Sequence, residues 1–256
     1  MFRNAIVRIP GDTFDKGLTT SHLGSPDYEQ ALDQHARYCT ALRTCGLNLV
    51  PLDADRRFPD STFVEDTALL TERCAILTRP GAESRQGEVE SIRSCLSRFY
   101  ESIACITPPG TVDGGDVCQV ENHFLIGISG RTNEEGARQL STILAESGFT
   151  PVSIDIRAIH GLLHLKSGLA YLGENQMLAV SSLASHETLR GYEIIRVPAG
   201  EEYAGNCVRV NDYVLFAAGF PVLEQELARL GHSLLTLDMS EFQKMDGGLS
   251  CLSLRF

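Results

Sequence analysis

The chain has 256 residues, with 22 basic and 33 acidic side chains and a formal net charge of −11 with histidine neutral. A hydrophobic fraction of 43% belongs to a globular protein with a sizeable core and excludes a disordered chain. The acidic balance argues against nucleic acid and suits a cationic ligand, and the strand-sized apolar runs leave no segment able to span a membrane.

In chain order, the first element is an apolar strand over 5–9. Charge at Arg3 and Arg8 returns too soon for a secretory signal, so a cytoplasmic protein is expected. A helix is predicted over 26–45, with Ser25 as N-cap, Pro26 at the first helical position, and Tyr28, Leu32, Ala36, Cys39 and Leu42 on one face. A second over 84–99 places Val89, Ile92, Leu96 and Phe99 together. A third over 132–147 opens on the capping box Thr132-Asn133-Glu134-Glu135. A short helix is predicted over 184–190, and a last one over 221–230 runs from Pro221 to Gly231. Each is followed by a β-rich run, at 47–52, 103–107, 152–156, 194–197 and 234–237.

After each run comes a polar or glycine-rich loop and then an apolar strand, folded in the first four cases into a hairpin near Glu72, Asn122, Asn175 and Asn211. The loops hold Glu65-Asp66, Asp113-Gly114-Gly115-Asp116, His164-Leu165-Lys166, Gly205-Asn206-Cys207 and Gly247-Gly248-Leu249-Ser250-Cys251. Recurrence at about 40–50 residues is a propeller-like period. The fifth unit lacks its second hairpin strand, which the strand over 5–9 can supply, closing a ring. An α/β sandwich whose loops merely look alike is the alternative. No linker or charge block divides the sequence, so one domain over 1–256 is expected.

A closed ring would bring the five loops to one small volume. Eight cysteines include no Cys-x-x-Cys pair and read as reduced thiols, mostly core. Cys251 is the exception: Gly247 and Gly248 permit a tight backbone that exposes a nucleophile, although a buried thiol on a terminal strand also fits. His164 is its candidate acid/base partner. His160, four residues earlier, would make a zinc pair with it on a helix, but the flanking runs are β-like and no third ligand is evident. Glu65, Asp66 and Asp113 are costly to bury together unless they face a cation, and a guanidinium matches carboxylates in a bidentate fork. Arg85 and Arg131 suit either an α-carboxylate or a solvated face.

Five segments, Leu18-Thr19-Thr20-Ser21-His22-Leu23-Gly24, Phe58-Pro59-Asp60-Ser61-Thr62-Phe63-Val64-Glu65-Asp66, Thr78-Arg79-Pro80-Gly81-Ala82-Glu83-Ser84-Arg85, His164-Leu165-Lys166-Ser167-Gly168 and Asp246-Gly247-Gly248-Leu249-Ser250-Cys251, resemble the dimethylarginine dimethylaminohydrolase family. The resemblance runs from end to end. It implies the five-bladed α/β propeller of the guanidine-modifying (pentein) superfamily, built from ββαβ repeats. It also implies hydrolysis of Nω-methylated arginines to citrulline and a methylamine without a metal or other cofactor, by a monomer or homodimer. By the resemblance, Cys251 is the nucleophile, His164 the proton donor and Asp113 the acid that orients it. Glu65 and Asp66 match guanidinium binders, Arg85 and Arg131 carboxylate binders, Leu18 and Asp60 contacts near the α-amine, and Met245 a further substrate contact. The rivals are an arginine deiminase, whose extra helical domain has no counterpart here, a citrulline hydrolase, and a non-catalytic binder of cationic amino acids.

Overall fold

A β-hairpin, a helix or turn, and a third strand returning parallel to the second form the repeated unit. The computed structural model describes residues 1–256. β1 (Asn4–Arg8) and β2 (Asn48–Leu52) run parallel, joined by α1 (Tyr28–Thr44). The next unit comprises β3 (Ala68–Leu70), β4 (Ala75–Leu77), α2 (Val89–Leu96) and β5 (Ile103–Cys105). The third comprises β6 (Val117–Val120), β7 (His123–Ile128), α3 (Glu134–Glu146) and β8 (Thr150–Asp155). The fourth has β9 (Leu169–Gly173), β10 (Gln176–Ala179) and β11 (Glu193–Arg196), with only the short 3-10 turn Glu187–Leu189 where a helix over 184–190 was expected. The fifth has β12 (Val208–Val210), β13 (Tyr213–Ala217), α4 (Pro221–Arg229) and β14 (Ser233–Leu237). After the one-turn α5 (Ser240–Gln243), β15 (Leu254–Arg255) pairs antiparallel with β1 and completes that first sheet. The result is a five-bladed α/β propeller closed by its two chain ends.

Helix starts shift for identifiable reasons. Asp27, not Ser25, caps α1, its carboxylate accepting the Gln30 N–H at 3.0 Å. Asn133, not Thr132, caps α3 by accepting the Gly136 N–H at 2.7 Å. The Thr132 hydroxyl is engaged elsewhere, donating to Asp116 Oδ2 at 2.7 Å. In the segment predicted as helix over 84–99, Glu83–Glu88 winds as 3-10 turns and only Val89–Leu96 is α-helical.

The apolar core lies outside the ring's axis, between helices and sheets. Tyr38 and Leu42 of α1, for example, share one cluster with Val7, Leu215 and Phe242. The axis is polar, with Glu65, Asp66, Arg85, Asp113, Asp116, His164 and Ser250 all buried. Here the short 3-10 turns Val64–Thr67, Gly114–Asp116, Leu165–Ser167, Glu202–Gly205 and Ser250–Leu252 pack against one another. No helix is long and apolar enough to cross a membrane.

Candidate active site

Together with the segments beside them, these turns bring most of the expected residues to one narrow cleft of about 30 Å³. Leu18, Asp60, Asp66, Arg85, Arg131, His164, Met245 and Cys251 all line it. Glycine is needed where the loops press closest. A Cβ on Gly115 would come within 3.0 Å of both the His164 ring and Asp66 Oδ1, and one on Gly248 would collide with the Asn206 side chain at 2.5 Å.

At the back of the cleft, Arg85 Nη1 meets Asp66 Oδ2 at 2.6 Å, and Arg85 Nε and Nη2 meet both Glu88 oxygens at 3.0 and 2.9 Å. Arg85 Nη2 also donates to the Phe63 and Asp60 carbonyls. Arg85 therefore braces the acidic residues while lining the cleft, with one N–H of its five left for a ligand. Arg131, by contrast, is only partly buried, and its guanidinium has no ion pair or hydrogen bond. Burial would raise the Asp66 pKa, but the Arg85 and His164 charges and the Gly115 N–H, 2.9 Å from Oδ1, bring it down to about 2. Asp66 is therefore an anion at any working pH.

His164 sits between two carboxylates, with Nδ1 3.4 Å from Asp116 Oδ2 and Nε2 3.8 Å from Asp113 Oδ2. Burial would discharge the imidazole, but Asp116, then Asp66 and Asp113, hold it protonated up to about pH 9. Asp116 was not among the expected site residues. Its Oδ2 also accepts the Ser129 and Thr132 hydroxyls and its Oδ1 the Leu165 N–H, so it is rigid. Asp113 is fully buried behind the cleft lining. Its Oδ1 accepts the Gly81 N–H at 2.7 Å, its Oδ2 has no hydrogen-bond partner, and burial together with Asp66 lifts its pKa to about 6.

Cys251 opens onto the cleft from the turn Ser250–Leu252, and its thiol is pushed up to about 12 by burial and the charges of Glu65 and Asp66. Glu65 itself departs from its expected place. Its carboxylate does not line the cleft, because Lys166 and Arg255 hold Oε1 at 2.6 and 3.1 Å and the Ser250 hydroxyl holds Oε2 at 2.7 Å. On a tight 3-10 turn, adjacent side chains leave in different directions, and only Asp66 turns inward.

Near the mouth, Asp60 accepts the Leu18 N–H with both oxygens at 3.0 and 3.2 Å, and buried Met245 packs beside Gly17. Asp246, also outside the expected set, accepts the Thr20 N–H at 2.5 Å and the Thr20 hydroxyl at 3.0 Å, tying the 18–20 segment down over the cleft. Asp66, Asp113 and His164 each place one ligand atom within 4.8 Å of the others, enough to gather round a cation. His160, the other half of the zinc pair, stands exposed on a loop and outside that group.

A family model described as arginine deiminase matches residues 58–213. The chain is 49% identical to an N(G),N(G)-dimethylarginine dimethylaminohydrolase of Pseudomonas aeruginosa, over all of both chains. It is 32% identical to the enzyme of that name from Streptomyces coelicolor, covering 99% of this chain and 96% of the other. A solved structure of the P. aeruginosa protein, a cysteine-to-serine variant complexed with citrulline, superposes with a TM-score of 0.97 at 48% identity over both full chains. With the ring of five blades and a single cleft holding cysteine, histidine and ionised acid, these relationships make the chain a member of the dimethylarginine dimethylaminohydrolase family.

Proposed function

We propose that this chain hydrolyses Nω,Nω-dimethyl-L-arginine and Nω-monomethyl-L-arginine to L-citrulline, releasing dimethylamine or methylamine. The observation that carries the reading is that Asp66, the Cys251 thiol and the His164 imidazole line one cleft. Asp66 holds the guanidinium, and Arg131, the unpaired cation, takes the α-carboxylate, so the substrate lies along the cleft with its guanidine carbon at Cys251. The Leu18 and Asp60 pair meets the α-amine end, and Met245 packs against the methylene chain.

The bound cation offsets the acids that oppose thiol ionisation, and the thiol gives its proton to solvent. The Cys251 thiolate then attacks the guanidine carbon, and His164, protonated near pH 7, gives its proton to the departing amine. The C–N bond breaks and an S-alkylthiouronium remains on Cys251. Water, deprotonated by the now neutral His164, adds to the same carbon. Collapse releases citrulline as the proton of the added hydroxyl passes to the sulfur, which restores the resting thiol beside the imidazolium. Asp116 and Asp113 keep that imidazolium favourable throughout. A cytoplasmic location goes with this reading, since all eight cysteines are free thiols, as a reducing compartment would keep them.

The test offers dimethylarginine, monomethylarginine, arginine and citrulline side by side, with the released amine identified. Dimethylamine and citrulline from the first, lost in Cys251→Ala with binding retained, is the expected result. Ammonia from arginine at the higher kcat/KM would make the protein a deiminase, and binding without turnover would make it a carrier.

A further inference from the structure

The ion cluster under the cleft floor has no part in the mechanism above. Glu65 is 4% exposed, yet it meets two cations on one oxygen, Lys166 Nζ at 2.6 Å and Arg255 Nη2 at 3.1 Å. Its other oxygen accepts from Ser250, the residue before the nucleophile. Glu65, Lys166, Ser250 and Arg255 line a separate cavity of about 140 Å³, distinct from the cleft that holds Cys251 and Asp66. A buried ion pair is a poor source of stability. The backbone here is also secured without the lysine side chain: Asn206 Nδ2 donates to the Lys166 carbonyl at 3.0 Å, and Asn206 Oδ1 accepts the Ser250 N–H at 3.0 Å.

Resting on the reading of Cys251 as nucleophile, we propose that Lys166, backed by Arg255, is a positioning residue of the reaction: it keeps Glu65 turned away from the cleft and cancels its charge beneath Cys251. Two consequences follow for chemistry. Asp66 is left as the one carboxylate on the guanidinium, which fixes the cation in a single pose. The negative field under the sulfur is also reduced, so that binding one cation is enough to ionise the thiol. The groups that face Cys251 come from several elements. Glu65 and Asp66 lie on the turn Val64–Thr67, His164 and Lys166 at Leu165–Ser167, and the Tyr203 phenol on Glu202–Gly205. Arg255 reaches the cluster from β15 through Glu65, and Asp113 and Asp116 act through His164. Of the two cations bonded to Glu65, Lys166 makes the shorter contact and also acts on the sulfur itself.

Removing the lysine charge should split kcat from KM. In Lys166→Met, the thiolate absorbance of Cys251, with Cys251→Ser subtracted, should titrate about tenfold less favourably. The value of kcat at pH 7 should fall about tenfold, while KM for dimethylarginine stays level or drops because a freed Glu65 adds a second anion. Lys166→Arg should restore both. Glu65→Gln should move the titration the opposite way, and Lys166→Met with Glu65→Gln should return it to the wild-type position. Should Lys166→Met fold poorly, Glu65→Gln and Lys166→Arg still decide the matter by the direction of their titrations. Identical titrations in wild type, Glu65→Gln and Lys166→Met overturn the proposal, as does a double variant no better than Lys166→Met. An active Cys251→Ala would instead remove the nucleophile assignment on which it rests.

Discussion

Asp116 Oδ2 lies 3.4 Å from His164 Nδ1, and Asp113 Oδ2 lies 3.8 Å from Nε2, so the imidazole is bracketed by two fully buried carboxylates. Asp116 supplies the stronger field and is held by two hydroxyls and an N–H, whereas Asp113 keeps one oxygen unpartnered. Asp116→Asn should therefore cost more than Asp113→Asn. The high-pH limb of kcat, which follows loss of the His164 proton, should move to lower pH in both variants, further in Asp116→Asn, with kcat down roughly 100-fold. A limb that stays in place in Asp116→Asn would show that another group carries the proton.

The free thiol of Cys251 should be neutral near pH 7, because burial and the acids facing it raise its pKa. An unreactive cationic arginine analogue should promote ionisation, and a neutral citrulline-like analogue should do so less. The measurement is alkylation by iodoacetamide against pH, with and without each analogue. A thiol that reacts at its full rate at pH 6 without ligand contradicts the expectation.

The two arginines of the cleft should behave differently on truncation. Arg131→Ala removes an unpaired cation and should raise KM for dimethylarginine about 10–150-fold, the loss of one charge-assisted bond, while the melting temperature holds. The decarboxylated analogue agmatine should be a poor substrate for the wild type and indifferent to that substitution. Arg85→Ala strands Asp66 and Glu88 as buried unpaired acids and should destabilise the fold by about 3–5 kcal/mol. Equal melting temperatures for the two variants would count against this division.

Stability should report His164 from the alkaline side. Its folded pKa, about 9, lies above the ordinary 6.5, so its contribution is complete below about pH 6.5 and is lost as pH rises through 9. Asp66 works in the opposite sense: present above about pH 4, lost as pH falls through about 2. The wild-type melting temperature should decline between pH 7 and 10 more steeply than that of His164→Gln. Parallel declines would mean that the histidine charge is not linked to folding.

Periodicity made the ring readable. Hydrophobic spacing located α1, α2, α3 and α4, the β-rich runs located β2, β5, β8, β11 and β14, and the loop residues aligned because every blade ends in the same short turn. What was not legible depended on partners far along the chain. The direction of Glu65 is set by Lys166 and by Arg255, which is 190 residues away, and Arg85, read from the sequence as suiting an α-carboxylate or a solvated face, is also tied to Asp66 and Glu88. Asp116 could have been found, since the two glycines before it in Asp113-Gly114-Gly115-Asp116 allow a turn that brings both acids to one side. Asp246 heads the segment that ends at Cys251, but its tie to Thr20 is visible only in the structure.

The blade that carries Cys251 is made from both ends of the polypeptide, with Ala5 beside Arg255 and Ile6 beside Leu254. Cys251 lies just before that seam, so one side of its turn is anchored by a contact between the most distant parts of the chain. Contacts of such separation are slow to find. During refolding, the other four blades can acquire their strands and helices while the thiol remains an ordinary flexible cysteine. Competence for covalent chemistry is thus tied to the meeting of the two ends of the chain.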